Sequence, residues 1–376
     1  MFTLNEALAA ISNKKEFAVH RREFGWVIDY NVSLKDTFVG KDERQTLILK
    51  NLRGTCFNTD GEIISLAFDK FHNLNECDGW REVDIDFSKQ HHILEKLDGS
   101  MIRAIPMLNG SYRLGTRAGI TEVAMKAEKF IASLSISRIA RFDDLVRTCL
   151  RAGMTPLFEF CSRDQRIVID YPVADLVLLG VRANDTGAYM RRNHVEILGR
   201  NYSWSVVKAI SSEHSSLKEL ASVVRQFKED EGVVVTFDHG FRVKIKADEY
   251  VLKHRALDGL RFEKDVVALI LGNSLDDVLP IVDEKTRGRL TAFRDSMMFQ
   301  ISYHELTLKK IFDSMKHLER KEFAEWASKD KLYSKFLFKM LDGKEANVMG
   351  YVLSKTGTQA NLESVRRLVG KSFLDF

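Results

Sequence analysis

Four prolines in 376 residues, and no low-complexity tract, leave little material for long disordered linkers. Cysteine is equally scarce. Cys56, Cys77, Cys149 and Cys161 lie far apart and form no Cys-x-x-Cys pair, which argues against a structural zinc site and for a reducing, cytoplasmic compartment. No apolar run approaches the length of a membrane span. The opening Met1-Phe2-Thr3-Leu4-Asn5-Glu6 lacks the basic-then-apolar run of a signal peptide; Thr3 and Glu6 instead predict a capping box that starts a short helix. A dominant charge is missing too. The 57 Lys+Arg against 53 Asp+Glu leave a net charge of +4, so any basic surface must be local.

What remains is ordinary globular composition, 45% hydrophobic and 29% charged, long enough for two or three domains. Its texture changes near residue 250. Before it, strands are predicted over 18–22, 25–30, 46–57, 62–68, 93–96, 101–108, 112–117, 156–161, 167–171, 176–182, 232–237 and 241–247. Asn109-Gly110 and His239-Gly240 supply hairpin turns. Helices are predicted over 121–134, 143–152 and 217–227. After Asp248 the strand pattern stops, and 263–271, 284–318, 321–328, 332–341 and 362–369 have helical periodicity. Met297, Met298 and Phe299 read most simply as core contacts of the long helix. The expected fold is therefore α+β, a mixed or antiparallel-sheet domain over 1–250 followed by an all-helical C-terminal domain over 251–376.

Glu95-Lys96-Leu97-Asp98-Gly99-Ser100 carries the most chemical information. A lysine stands two residues before an aspartate, with glycine and serine following at a turn. This arrangement suits an amine that attacks a nucleotide phosphate, provided the site delivers it neutral, because an ammonium is no nucleophile. Further along, Glu159 lies between Phe158 and Phe160 and projects from the opposite face of their strand. It is either an edge carboxylate or a magnesium ligand. Glu231 stands at the mouth of the apolar strand Gly232-Val233-Val234-Val235, either as a solvated acid or as part of a site. In Arg242-Val243-Lys244-Ile245-Lys246, alternation buries Phe241, Val243 and Ile245 and lines the other face with three cations. They repel one another unless a polyanion lies across them, the alternative being a lysine-guarded edge strand. Upstream, Arg53 and Lys70 are cations of either kind, and Arg117 ends a strand within reach of the same place.

In this order, Leu52-Arg53-Gly54, Lys70-Phe71-His72-Asn73-Leu74-Asn75-Glu76, Lys96-Leu97-Asp98-Gly99-Ser100, Phe158-Glu159-Phe160, Leu178-Leu179-Gly180-Val181-Arg182, Glu231-Gly232 and Lys244-Ile245-Lys246 resemble the covalent nucleotidyltransferases, the superfamily of ligases and RNA-capping enzymes. The chain is most similar to the RNA ligase 1 family of tailed phages, which repairs broken tRNA. The resemblance covers about residues 45–255, and over the helical part it rests on length and helicity alone. Each motif is common; the ordered set is specific.

The resemblance implies an ATP-dependent RNA ligase that joins 5′-phosphate and 3′-hydroxyl ends through lysyl–AMP and adenylylated RNA, in tRNA or RNA repair. Lys96 would be the nucleophile, with Lys244 and Lys246 on the α-phosphate. Arg53, Lys70, Arg117, His72, Glu95, Gly99, Glu159 and Glu231 would contact the nucleotide. Asp98, Glu159 and Glu231 would hold magnesium, or manganese in its place. The implied partner is RNA, a nicked tRNA anticodon loop, with no membrane and no obligate protein partner; the compartment would be the cytoplasm, the host's if the chain is phage-encoded. Three positions depart from the family pattern. His72 replaces a second aromatic ring, the Leu178–Val181 strand lacks a base-stacking aromatic, and Arg117 stands for a lysine. The base would then be gripped by Phe71, by His72 or by aliphatic packing. The alternatives are a DNA ligase or a GTP-using capping enzyme, which usually continue into a small β-barrel, and a catalytically silent RNA-binding relative.

Overall fold

Thr3 accepts the Glu6 N–H and donates its own N–H to the Glu6 carboxylate, so the helix Leu4–Ile11 begins with the expected capping box. The computed structural model describes residues 1–34, 36–211 and 214–376. It divides into two compact units, Met1–Val251 and Leu252–Phe376.

The first unit is α+β. Strands β1 (Phe17–Arg22), β2 (Gly25–Tyr30), β3 (Thr55–Phe57) and β4 (Ile63–Ser65) form an antiparallel sheet in that order. Seven strands follow: β5 (His91–Glu95), β6 (Ser100–Pro106), β7 (Tyr112–Gly115), β8 (Met154–Cys161), β9 (Asp175–Ala183), β10 (Gly232–Phe237) and β11 (Arg242–Lys246). They make a four-stranded sheet, β7-β6-β8-β9, and a three-stranded one, β11-β10-β5, antiparallel throughout. One segment that bridges these two sheets is 206–210. Val207 donates to the Leu178 carbonyl of β9, while Lys208 accepts the Glu95 N–H and Ile210 donates to Ile93 of β5. One core packs the helices Glu122–Ala132 and Ile136–Arg151 on the four-stranded sheet through Ala127, Phe142, Leu145, Phe158 and Leu178. Another packs the helix Leu217–Arg225 on the three-stranded sheet through Leu220, Val224, Val233, Val235 and Val243.

Several elements differ from the sequence expectation, each for a local reason. The run 46–57 is a helix, Glu43–Asn51, before it becomes β3. Asp42 caps that helix by accepting the Gln45 N–H, and Ile48, Leu49 and Leu52 bury at helical spacing. Residues 167–171 are not a strand, because Val168 and Ile169 give their N–H groups to the Asp98 carboxylate instead of a ladder. The helix expected from Asp143 starts at Ile136, whose side chain is exposed and so broke the apolar pattern. The helix Arg192–Tyr202 was not anticipated at all; it buries only Val195 and Gly199.

The second unit is built of helices. Its core gathers Val266, Val267, Leu290, Phe293, Met297, Ile301, Leu308, Phe323, Phe336 and Leu368. The long helix Glu284–Met315 buries positions 290, 293, 297, 301, 304 and 308, a spacing that keeps Met297 inside and turns Phe299 out, 69% exposed. Phe299 is therefore not the core contact expected. The run 362–369 breaks into two short helices, Gln359–Glu363 and Arg366–Val369. At the start of the second, Arg366 reaches the buried Glu263 with two 2.6 Å hydrogen bonds. Among the described residues no helix is long and apolar enough to cross a membrane.

Candidate active site

Strand register places the central residues. Lys96 follows β5 and donates its N–H to the Gly232 carbonyl, and Gly232 pairs with Lys246 across the sheet. Three stretches distant in sequence thus meet at one end of the three-stranded sheet. There the Glu231 carboxylate, almost fully buried, takes Lys96 Nζ at 2.6 Å on one oxygen and Lys246 Nζ at 2.9 Å on the other. Glycine is required next to it: Gly232 has φ +136°, and a Cβ there would lie 2.1 Å from the Ile245 carbonyl oxygen. The partner backbone, not a ligand, is what that glycine admits.

From this end a cavity of about 620 Å³ runs between elements of the two sheets. Arg53, Glu95, Lys96, Arg117, Glu159 and Lys244 line it. On one side Leu94, Val234 and Thr236 face in, on the other Met101, Leu179 and Val181, with Phe71 at the Lys244 side. Aliphatic side chains share its walls with Phe68, Phe71 and Tyr189, and Lys244 and Arg53 lie near Lys96.

The charges there are unbalanced. Lys244 is pushed down to about 7, first by burial and then by Lys96, Arg53 and Lys70. Glu159 is pushed up to about 8, by burial first, with Glu231 and Asp98 adding and Lys96 and the Gly99 N–H opposing. Burial also raises Glu95. Gly99 lets β6 and β8 approach; a Cβ would fall 2.5 Å from the Phe160 carbonyl oxygen and 3.0 Å from Glu159 Cγ.

Other expected residues sit differently. Asp98 is not an open ligand. Its Oδ2 accepts the N–H groups of Val168 and Ile169, and its Oδ1 accepts the Tyr250 hydroxyl at 2.7 Å. With Asp98 committed and Glu231 held by two ammonium groups, the three-carboxylate metal set does not assemble; among the described residues no group of three His, Cys, Asp or Glu is placed to hold a metal ion. Of the three, Glu159 lines the cavity. Arg117 lines the cavity but pairs with Asp29 at 2.9 Å and donates to the Tyr30 carbonyl. Arg53 donates to the Phe68 and Asp69 carbonyls. Lys70 Nζ stands 5.1 Å over the Phe38 ring, outside the cavity lining. His72 turns to Glu76 and to the edge of Trp80, so it offers no ring to a base in the cavity. Arg242, expected on an open cationic face, is buried 3.5 Å over the Tyr189 ring.

Tyr250 and Tyr171, whose hydroxyl oxygen accepts the Asp98 N–H, have no signal in the sequence. Both act at a distance of 70 residues or more, and no local pattern announces such a contact.

A family described as RNA ligase matches residues 51–250. A protein of Thermovibrio ammonificans, named there as a candidate RNA ligase, is 28% identical over 308 residues, 78% of this chain and 76% of that one. Among solved structures, an archaeal ATP-dependent RNA ligase is 15% identical, with a TM-score of 0.45 over 68% of this chain and 64% of that one. An RNA ligase of Naegleria gruberi is 12% identical, with a TM-score of 0.40 over 50% and 57%. The chain thus spans just under two thirds of the archaeal ligase's length.

Proposed function

This chain belongs to the RNA ligase family, and we propose that it is an ATP-dependent RNA ligase that uses Lys96 as a temporary carrier of AMP. The observation that supports this most is the double grip of Glu231 on Lys96 and Lys246 at the cationic end of the cavity. It gathers three of the ordered motifs around one amine.

The reaction has three transfers. Lys96 Nζ attacks the α-phosphorus of ATP; the N–P bond forms, the bond to pyrophosphate breaks, and the amine loses a proton. Starting from the ammonium, two protons leave: Glu231, 2.6 Å away, is placed to take the one shed before attack, and solvent takes the one shed from the nitrogen bonded to phosphorus. The 5′-phosphate of RNA then takes AMP from the lysine. A 3′-hydroxyl finally attacks that activated end, closing the phosphodiester and expelling AMP. Such transfers depend on positioning and charge neutralisation. Lys244 and Arg53 neutralise the phosphates, Lys246 steadies Glu231, and Arg117 braces the wall beside them. The aliphatic lining grips the base, with Phe71 the one aromatic ring we assign to it. Glu159 would hold a divalent cation brought in with ATP, which would supply further charge neutralisation to the phosphates. We take it to be magnesium, manganese being the alternative.

After Lys246 the described residues contain no strand. That favours an RNA ligase with a helical appendage over relatives that continue into a β-barrel. We assign residues 1–250 to adenylyl transfer and 251–376 to tRNA recognition in RNA repair, in the cytoplasm. Wild-type protein with ATP, divalent cation and 5′-phosphorylated RNA is expected to give adenylylated and then joined RNA. It should prefer a nicked anticodon stem-loop to a linear oligonucleotide. Product from nicked DNA or with GTP in place of ATP would favour the DNA-ligase or capping reading instead.

The two shifted groups predict the pH profile of the first step. In the free enzyme Lys244 loses its charge as pH rises through about 7, and Glu159 gains its charge only toward about 8. The apparent kcat/KM for ATP should therefore peak between them and fall on both sides. Lys244→Arg keeps its charge at alkaline pH, so its rate should go on rising past pH 8. A descending limb unchanged in that variant assigns it to another group.

A further inference from the structure

One polar group in the cavity has no part in this scheme. Arg192 opens the helix Arg192–Tyr202, and its side chain is only 10% exposed. It lines the cavity beside Met190, Val195 and Val207. Its Nε donates to Glu196 at 2.8 Å and its Nη2 to the Val207 carbonyl at 2.6 Å. The Nη1 atom is buried and, among the described residues, has no hydrogen-bond partner. A buried donor without an acceptor is costly. An arginine in the first helical turn also works against the helix dipole. Neither feature helps the fold, so a ligand is the natural source of the missing acceptor.

The position says which part of the nucleotide would provide it. Val207, the anchor of Arg192, lies on the segment joining the two sheets, and the next residue, Lys208, accepts the N–H of Glu95 immediately before Lys96. The phosphate end of the cavity is marked by Lys96, Lys244 and Arg53. Arg192 differs from Lys244 and Arg53, because Glu196 already matches its charge, as Glu231 matches that of Lys96. It brings an unpartnered N–H to a stretch of cavity wall shared with Met190, Val195 and Val207, the equipment for contacting a base edge rather than for gathering phosphate.

We propose that Arg192 recognises the purine of ATP, with Nη1 donating to one of its ring nitrogens. The proposal rests on the ATP-ligase reading of the same site. Wild-type protein is first tested for AMP on Lys96; absence of that adduct defeats the ligase reading itself. Adenylylation rates at limiting nucleotide are then compared for ATP and its 1-deaza, 3-deaza, 7-deaza and 2′-deoxy analogues. This is done in wild type, Arg192→Lys and Arg192→Met, with thermal unfolding as a check on folding. One deaza analogue should react about tenfold more slowly or worse in wild type, and that ratio should collapse toward one in Arg192→Met. A loss of equal proportion on every nucleotide would make Arg192 merely structural and overturn the proposal. So would an Arg192-dependent penalty for 2′-deoxy-ATP, or wild type that accepts all three deaza analogues as well as ATP. The wild-type comparison needs no variant to fold.

Discussion

Protein carrying Lys96→Ala gains no mass when incubated with ATP and a divalent cation, whereas the wild-type chain gains one adenylate. The effect is all-or-none because the amine is itself the atom that bonds to phosphorus; no neighbour can supply a partial substitute through electrostatics. The stringent comparison is with Lys244. That side chain lines the same cavity and, with a pKa near 7, is neutral in part of the population at physiological pH. A neutral amine alone is thus not enough; it must also lie in line with the leaving pyrophosphate. Peptide mapping after denaturation should place all label on the Lys96 peptide. Label on the Lys244 peptide, or label retained by Lys96→Ala, would end the nucleophile assignment.

Glu231→Ala should weaken both the protein and its chemistry. The carboxylate is buried and serves two lysines that are themselves mostly covered, so its removal strands two ammonium groups. Breaking a buried pair costs about 3–5 kcal/mol, and the partial exposure of the lysines lowers that to roughly 2–3 kcal/mol. For a unit of this size the melting midpoint should drop by about 5–10 °C. Adenylylation should fall by roughly 10² or more, the scale of losing one placed electrostatic partner. Glu231→Gln, which keeps the shape and loses the charge, should fall between. A midpoint unchanged in Glu231→Ala would show the three-residue contact to be idle, and a near-normal rate would remove Glu231 from the proton's route.

The sequence disclosed β10 as an apolar run and β11 from Val243 and Ile245 alternating with lysines, because both bury one face of a sheet. It also disclosed the motifs of Lys96, Glu159, Glu231 and Lys244, whose residue types follow from phosphate chemistry. It misled where a short apolar run serves two periods, as at residues 46–52, and where backbone N–H groups leave the ladder for a side chain, as at 168 and 169. The destinations of charged residues were the least legible part. Nothing local predicts that Arg242 is buried over the Tyr189 ring while Lys244, two residues on along the same strand and lining the same cavity, lies by Phe71. Arg192 was invisible for the same reason: its significance lies in an atom left without an acceptor, and only packing shows that.

The hydroxyl of Tyr250 that holds Asp98 comes from the helix Asp248–Gly259, after the last strand has ended. Anyone trimming this gene to a minimal ligase core would naturally place the stop codon at the close of β11. That fragment would leave Asp98 short of one donor and would fail for a reason unrelated to the helices removed. A fragment extended through Val251 keeps the tyrosine, and the contrast between the two lengths separates a fault of truncation from a true dependence on the helical unit.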